Sequence, residues 1–372
     1  MTPAELSRTV LHAVRRAVEE GELSVDVPER VRVAPPGPGG YGDYATNVAL
    51  QLARPAGQPA LRVAELLRAR LVGAGGIGEV VVTGPGFINF SVRGTDAGAR
   101  LVSEVLRDGV RYGYRESLAG QGEGGVVRLR AAREVRAVVH LDVVARLLRS
   151  QGAVVRSSCA GSLDAEWGSV LGVCVEQHAQ GDPGSEHGQD GAPVDVRPVP
   201  APADPLPLGR DAARWALLHP APHDRPRIGD EHLVQRESNP LFRVRYAHAR
   251  SRALLRNAAD LGFGPEPGTA DVQEAQKPQE PQDAWEARAL LRALADHPRV
   301  LAAAAAHRAP DRLARHLVTV ADAALPLFPA VLPLGEEKPL AAHRARLGLA
   351  AAAGAVLAGG LSLLGIDAPD HL

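Results

Sequence analysis

The chain has 372 residues, is 45% hydrophobic and 23% charged, and carries a net charge of −1; that size and make-up suit two or three domains with sizeable cores, and the near-neutral balance excludes a globally basic nucleic-acid binder, so any such footprint is local. Lysine occurs only at Lys277 and Lys338, leaving arginine to carry the positive charge. Cys159 and Cys174 give neither metal-ligand spacing nor a disulfide framework, and Glu5, Arg8, Arg15 and Arg16 interrupt any secretory apolar run, so the expected setting is a reducing cytoplasm.

Leu6, Val10, Leu11, Val14 and Val18 recur at helical spacing and predict an amphipathic helix over residues 1–20. Val25–Val33 alternates like a strand, and Pro35–Gly40 is a break. A helix is expected within Tyr41–Arg54, with Asp43 as its cap, and another over Arg62–Leu71. Glu79–Val92 reads as two strand pieces around a Gly-Pro-Gly turn, and Asp96–Arg107 as a closing helix. Alternating helices and strands over 1–115 predict a compact α/β sandwich. Here GDYATNVALQLAR and GPGFINF resemble the N-terminal domain of arginyl-tRNA synthetases. The resemblance implies contact with the tRNA elbow, with Phe87 stacking on an unpaired base and Asn89 hydrogen-bonding it. Phe90 is expected in the core.

Residues 121–178 hold a strand (VVRLRAA), a helix over Val138–Ser150 and a strand at Ala153–Arg156, the opening of a nucleotide-binding α/β domain. The family places two histidines in an H-x-G-H turn at this helix start. In register with Ala145-Arg146-Leu147-Leu148, that motif falls on Ala131, Ala132, Arg133 and Glu134, and both histidines are gone; a shifted register keeps His140 but puts Ala137 and Val139 in the other key positions, so the signature is broken either way. His140 reads as a helix residue rather than a catalyst. Residues 179–207, rich in Pro, Gly and Asp, read as a flexible linker. The family's remaining catalytic domain and its lysine-rich loop have no counterpart, since no lysine precedes Lys277. No catalytic residue is therefore expected and no cofactor; ATP and magnesium enter only if the chain is an active ligase.

The likeness resumes at Leu208 and opens an all-α anticodon-binding bundle over 208–372, making the whole chain α+β. NPLFRVRYAHARSRALLR begins with an Asn-Pro helix start. Leu241, Val244, Ala247, Ser251, Leu254, Leu255 and Ala258 form its inward stripe, while Arg243, Arg245, Arg250, Arg252 and Arg256, with Tyr246, make an acid-free cationic and aromatic surface. Guanidiniums pair with phosphates and rings stack on unpaired bases; a solvated bundle face is the plainer alternative. The run is similar to N-P-V-F-Y-V-Q-Y-A-H-A-R of the arginyl-tRNA synthetase bundle, which adds His248, and Phe328 in the altered turn Leu325–Leu334, to the expected tRNA contacts.

Gly262–Gln282 reads as a surface loop, followed by helices at Trp285–Ala295, Val300–His307, Pro310–Ala324 and Leu340–Leu364. The uncharged run Leu347–Ile366 is expected to be a buried helix rather than a membrane span. Its apolar side, at Ala351, Ala352 and Gly354, predicts a homodimer or another protein partner. The sequence thus predicts a tRNA-binding relative of arginyl-tRNA synthetase without aminoacylation activity, its partner a tRNA such as tRNA-Arg. An active arginine–tRNA ligase and a scaffold that has lost RNA are the alternatives.

Overall fold

A computed structural model describes residues 3–34, 36, 43–92, 94–115, 126–175, 177–179, 192–268, 281–335 and 337–372. The chain divides into two compact units, Met1–Leu101 and Val102–Leu372.

In the first unit the order is α1 (Pro3–Glu19), β1 (Val33–Ala34), β2 (Tyr44–Thr46), α2 (Val48–Ala53), α3 (Ala60–Leu71), β3 (Ile77–Thr83) and β4 (Phe87–Val92); α4 (Gly94–Asp108) leads out of it. The strands form one antiparallel sheet in the order β1-β2-β4-β3. Leu6, Val10 and Val14 of α1, Val63 and Leu67 of α3, and Ile88 and Phe90 of β4 share one buried core. The strand expected over Val25–Val33 is only Val33–Ala34. Asp43 does not cap α2: its amide donates to Phe90 O at 2.7 Å, and Asn47 is the N-cap. The Gly-Pro-Gly turn expected between β3 and β4 is observed, and Gly86 holds a φ of +134° that favours glycine.

The second unit begins with β5 (Val127–Ala131), α5 (Val135–Ser150), β6 (Val155–Ala160), α6 (Ala165–Ser169), β7 (Gln177–Ala179) and β8 (Val194–Val196). These strands form a parallel sheet in the order β7-β6-β5-β8. The stretch read as a linker therefore supplies β8, in register with Leu129–Ala131, and a 3-10 turn at Leu206–Leu208. Its Pro/Gly/Asp composition masked three residues whose pairing depends on β5, a neighbour no local pattern reveals. Residues 180–191 of that stretch lie outside the described residues.

Helices α7 (Gly209–Leu218), α8 (Pro240–Asp260), α9 (Pro281–Ala306), α10 (Pro310–Ala324) and α11 (Ala341–Leu364) complete the unit, with α10 packed on α8, α9 and α11. The two helices expected on either side of Pro298 are one, α9, with that proline inside it. α11 is the one helix among the described residues long and apolar enough to cross a membrane, and 83% of its most apolar stretch is buried in the chain. Ala351, Ala352 and Gly354 are covered from within: a Cβ on Gly354 would collide with the Ser251 hydroxyl of α8. The face that predicted a partner is thus already occupied, and the homodimer expectation fails there.

Arg214 of α7 ties α5 to the bundle. It is fully buried and donates to Leu364 O (2.7 Å), Leu171 O (2.8 Å) and the Asp142 carboxylate of α5. A buried ion with every donor placed is retained; removing one partner from such a set costs about 3–5 kcal/mol. Gly365, in the left-handed conformation that ends α11, leaves the room this guanidinium fills.

Candidate nucleic-acid interface

α8 starts where a single side chain satisfies three groups. Asn239 Oδ1 accepts from Leu241 N at 3.0 Å, while its Nδ2 donates to His232 O (3.0 Å) and Val234 O (2.9 Å). That fixes the helix axis and the phase of its surface. Leu241, Val244, Ala247, Ser251, Leu254 and Ala258 point inward as expected, and Leu255 is half-buried.

The arginines are not the uninterrupted cationic strip that the sequence implied, because acids arrive from three distant segments. Arg243 pairs with Asp322 of α10 at 2.9 Å, Arg245 with Asp211 of α7 at 3.5 Å, and Arg252 with Asp370 of the tail at 3.0 Å. Arg256 donates to Asp370 O at 3.3 Å. Arg250 is exposed and makes no ion pair among the described residues. Pairs this exposed contribute at most about 1 kcal/mol, so a phosphate can take over such a guanidinium at small cost. Arg252 and its acid are each about half exposed and fit that exchange; Arg245, 26% exposed, fits it less well.

Tyr246 is 41% exposed and its ring stacks on Phe242 at 5.7 Å, a two-ring platform beside the arginines. Two expected contacts fail on burial. His248 is 4% exposed, its Nδ1 lies 3.0 Å from Pro369 O, and burial lowers its pKa, so it anchors the tail as a neutral ring. Phe328 is 2% exposed and belongs to the core. Both fall on the inner arc of the packing, where a family pattern match cannot separate an anchor from a contact.

Beside this platform lies a cavity of about 330 Å³ that sequence reasoning missed. It sits between the starts of α7 and α8, the turn Asp230–His232 and the tail, and is lined by Arg210, Asp211, His232, Leu241, Phe242 and Arg245. Arg245 Nε is buried there without a hydrogen-bond partner. Nothing local signals this site, since its walls come from four separate stretches.

In the first unit Phe87 is 40% exposed at the hairpin tip. Asn89 is 1% exposed, and its Nδ2 donates to Thr83 Oγ1 at 2.7 Å and Val81 O at 3.3 Å. The expected direct base contact of Asn89 is corrected: its amide braces the turn that presents Phe87. Phe90 is buried, as expected.

At the start of α5, where the first helix of a nucleotide-binding unit turns its free amides toward phosphate, the chain supplies its own anion. Glu134 is the N-cap; its Oε2 accepts from Ala137 N at 2.8 Å and its Oε1 from Ala201 N at 3.0 Å. Two residues on, Arg136 is fully buried and donates to the backbone carbonyls of Leu217, Val199, Asp224, Pro220 and Ala221. His140 Nε2 lies 3.1 Å from Leu217 O, so that nitrogen carries the proton, and desolvation pushes its pKa down to about 4. It lies within a helix, as the sequence implied, and the packing buries it.

Residues 4–92 match the arginyl tRNA synthetase N terminal domain family, and residues 244–372 match the DALR anticodon binding domain family. Among curated relatives, the arginine–tRNA ligase of Frankia alni is 28% identical over 564 aligned positions that span all of both chains. This chain supplies 372 residues, so roughly a third of those positions hold no residue of it. The arginine–tRNA ligase of Renibacterium salmoninarum is 37% identical over 205 residues, 52% of this chain and 36% of that one. The fold is like that of Thermus thermophilus arginyl-tRNA synthetase (TM-score 0.65, 16% identity, 100% of both chains) and of the Plasmodium falciparum arginyl-tRNA synthetase (TM-score 0.65, 10% identity, 100% and 99%).

Proposed function

The chain carries, at its two ends, the N-terminal and DALR domains of the arginyl-tRNA synthetase family, and from that premise we propose that it binds tRNA without charging it. The observation that carries this reading is the Glu134 carboxylate seated on the Ala137 amide in the first turn of α5 and on the Ala201 amide. A phosphate and a carboxylate compete for the same amides, and two like charges so close repel. Of the cations beside this helix start, which such a site needs to hold the transferring phosphate, Arg136 is committed to carbonyls deep in the fold, and Arg133 alone stays exposed.

RNA binding follows from the surfaces that stay open. Phe87 stacks on an unpaired base, Arg250, Arg252 and Arg256 hold phosphates, and Tyr246 with Phe242 offers a stacking platform. The cavity next to Phe242 has the size and mixed polar lining to take an unstacked anticodon base. Arg243 and Arg245 contribute through ion pairs that the RNA must exchange.

The names of full-length relatives favour an active arginine–tRNA ligase as the second reading. Two assays on the full chain separate the readings. Transfer of labelled arginine to tRNA with ATP and magnesium is expected to be absent, and clear turnover refutes the proposal. Filter binding is expected to show tRNA retention that weakens steeply with salt; no retention at low salt removes the RNA reading as well.

A further inference from the structure

Parallel sheets are ordinarily covered on both faces, and their strands read as continuous apolar runs. Among the described residues, the strands of the second unit's sheet are not such continuous runs. On one face Leu129, Ala131, Val155 and Val196 pack against Ala137, Leu141, Val144 and Ala145 of α5. The side chains that alternate away from α5 are Arg128, Arg130, Arg156, Ser158 and Asp195. Arg130, Arg156 and Asp195 are exposed, and Arg128 and Ser158 are half-buried. In register, Arg128 stands directly beside Arg156, and Arg130 lies between Ser158 and Asp195.

Two like charges at adjacent sheet positions repel, and a central strand gives up apolar burial by carrying two arginines. Among these side chains Asp195 is the one acid. Its carboxylate is shared by Arg130 at 3.1 Å and Arg197 at 2.5 Å, and these arginine side chains are 50% and 75% exposed. Arg128 and Arg156 stand beside that group, so the face carries an array of arginines whose points lie about 4.8 Å apart across strands and about 6.6 Å apart along one. Planar guanidiniums so arrayed suit a run of phosphates, each able to be held by paired donors.

We infer that this arginine face of the sheet is a further binding surface for an RNA phosphate backbone, separate from the basic helix α8. The inference rests on the tRNA reading for its probe and extends the footprint to the middle of the chain, which neither family match covers.

The test uses the full-length protein and filter binding of tRNA between 50 and 200 mM salt. In the triple variant Arg128→Ala/Arg130→Ala/Arg156→Ala the slope of log affinity against log salt is expected to shrink by about two to three, at roughly 0.7–0.9 for each phosphate that is no longer neutralised, with binding weakened roughly tenfold or more at the low-salt end. The triple lysine variant keeps charge and is expected to keep the slope, which separates a missing charge from a damaged fold. An alanine triple with unchanged slope overturns this surface and leaves α8 as the footprint. If tRNA binding is unchanged but the sedimentation mass at low salt falls, the face joins copies of the chain and the RNA assignment is refuted. Absence of tRNA binding in the unaltered chain overturns this inference and the proposed function together.

Discussion

The first turns of α5 and the outer face of α8 both carry arginine, and their arginines meet opposite fates. In α5 the arginine and histidine are withdrawn from solvent and committed to backbone carbonyls, and a glutamate closes the helix end. In α8 the arginines stay at the surface, held by single exchangeable acids or by none, with Tyr246 open beside them. What separates a structural cation from a binding cation is the partner, and the partners come from far along the chain: Leu217 and Ala221 for Arg136, Asp370 for Arg252.

Acid sharpens the contrast most. His140, His219 and His316 have their pKa pushed down to about 4 and His297 to about 3, in each case chiefly by desolvation. His297 and His316 lie against each other with ring centroids 5.3 Å apart. Because the folded pKa lies below the unfolded value near 6.5, the unfolded chain takes up protons first as pH falls. Stability is full above about pH 6.5 and declines toward pH 4, by about 1.4 kcal/mol per pH unit for each such histidine. Urea melts at pH 7, 6 and 5 are expected to show a falling midpoint. A flat profile means these rings are not held neutral by burial.

Next in size is Arg136→Leu, which leaves five carbonyls without their donor and is expected to cost about 3–5 kcal/mol. The measure is a chemical melt; a loss below about 1 kcal/mol would show the carbonyls satisfied by water. Against it, Arg250→Ala/Arg252→Ala is expected to leave the melt within about 0.5 kcal/mol. The same double variant is expected to lower the salt slope of tRNA binding by about one to two, at every sequence tested. Two variants with the reverse pattern would erase the distinction between the regions.

Most helices were legible from periodicity. α1, α3, α8, α10 and α11 fall where apolar spacing and the Asn239-Pro240 start placed them. The continuity of α9 through Pro298 was not legible, because local chemistry marks a break that tertiary packing overrides. β8 was hidden in a linker-like composition. Of the expected tRNA contacts, those on exposed α8 positions and at Phe87 stay accessible, while Asn89, His248 and Phe328 are buried. Each of the three is polar or aromatic at a motif position, and only the packing shows whether its side chain faces a ligand or a neighbouring strand, tail or core. The cationic strip was overestimated because its neutralising acids lie 34 to 118 residues away, as between Arg245 and Asp211 or Arg252 and Asp370.

The smallest expected effect is the most direct probe of the closed helix end. Glu134→Ala removes the cap of α5 and the tie to Ala201, and is expected to cost about 1 kcal/mol, the usual loss for a side-chain cap. It also clears the amides of Ala137 and its neighbours for an incoming anion. If the carboxylate were the only thing excluding a nucleotide, the variant would gain ATP-dependent thermal stabilisation, of about 2.7 kcal/mol at a concentration one hundred times the dissociation constant. We expect no such gain, because phosphates also need cations placed around them, and Arg136 stays turned into the fold whether or not Glu134 is present. A rise in melting temperature with ATP in the variant alone would make Glu134 a removable plug over an intact site, and would turn the contrast between α5 and α8 into one between two ligand surfaces.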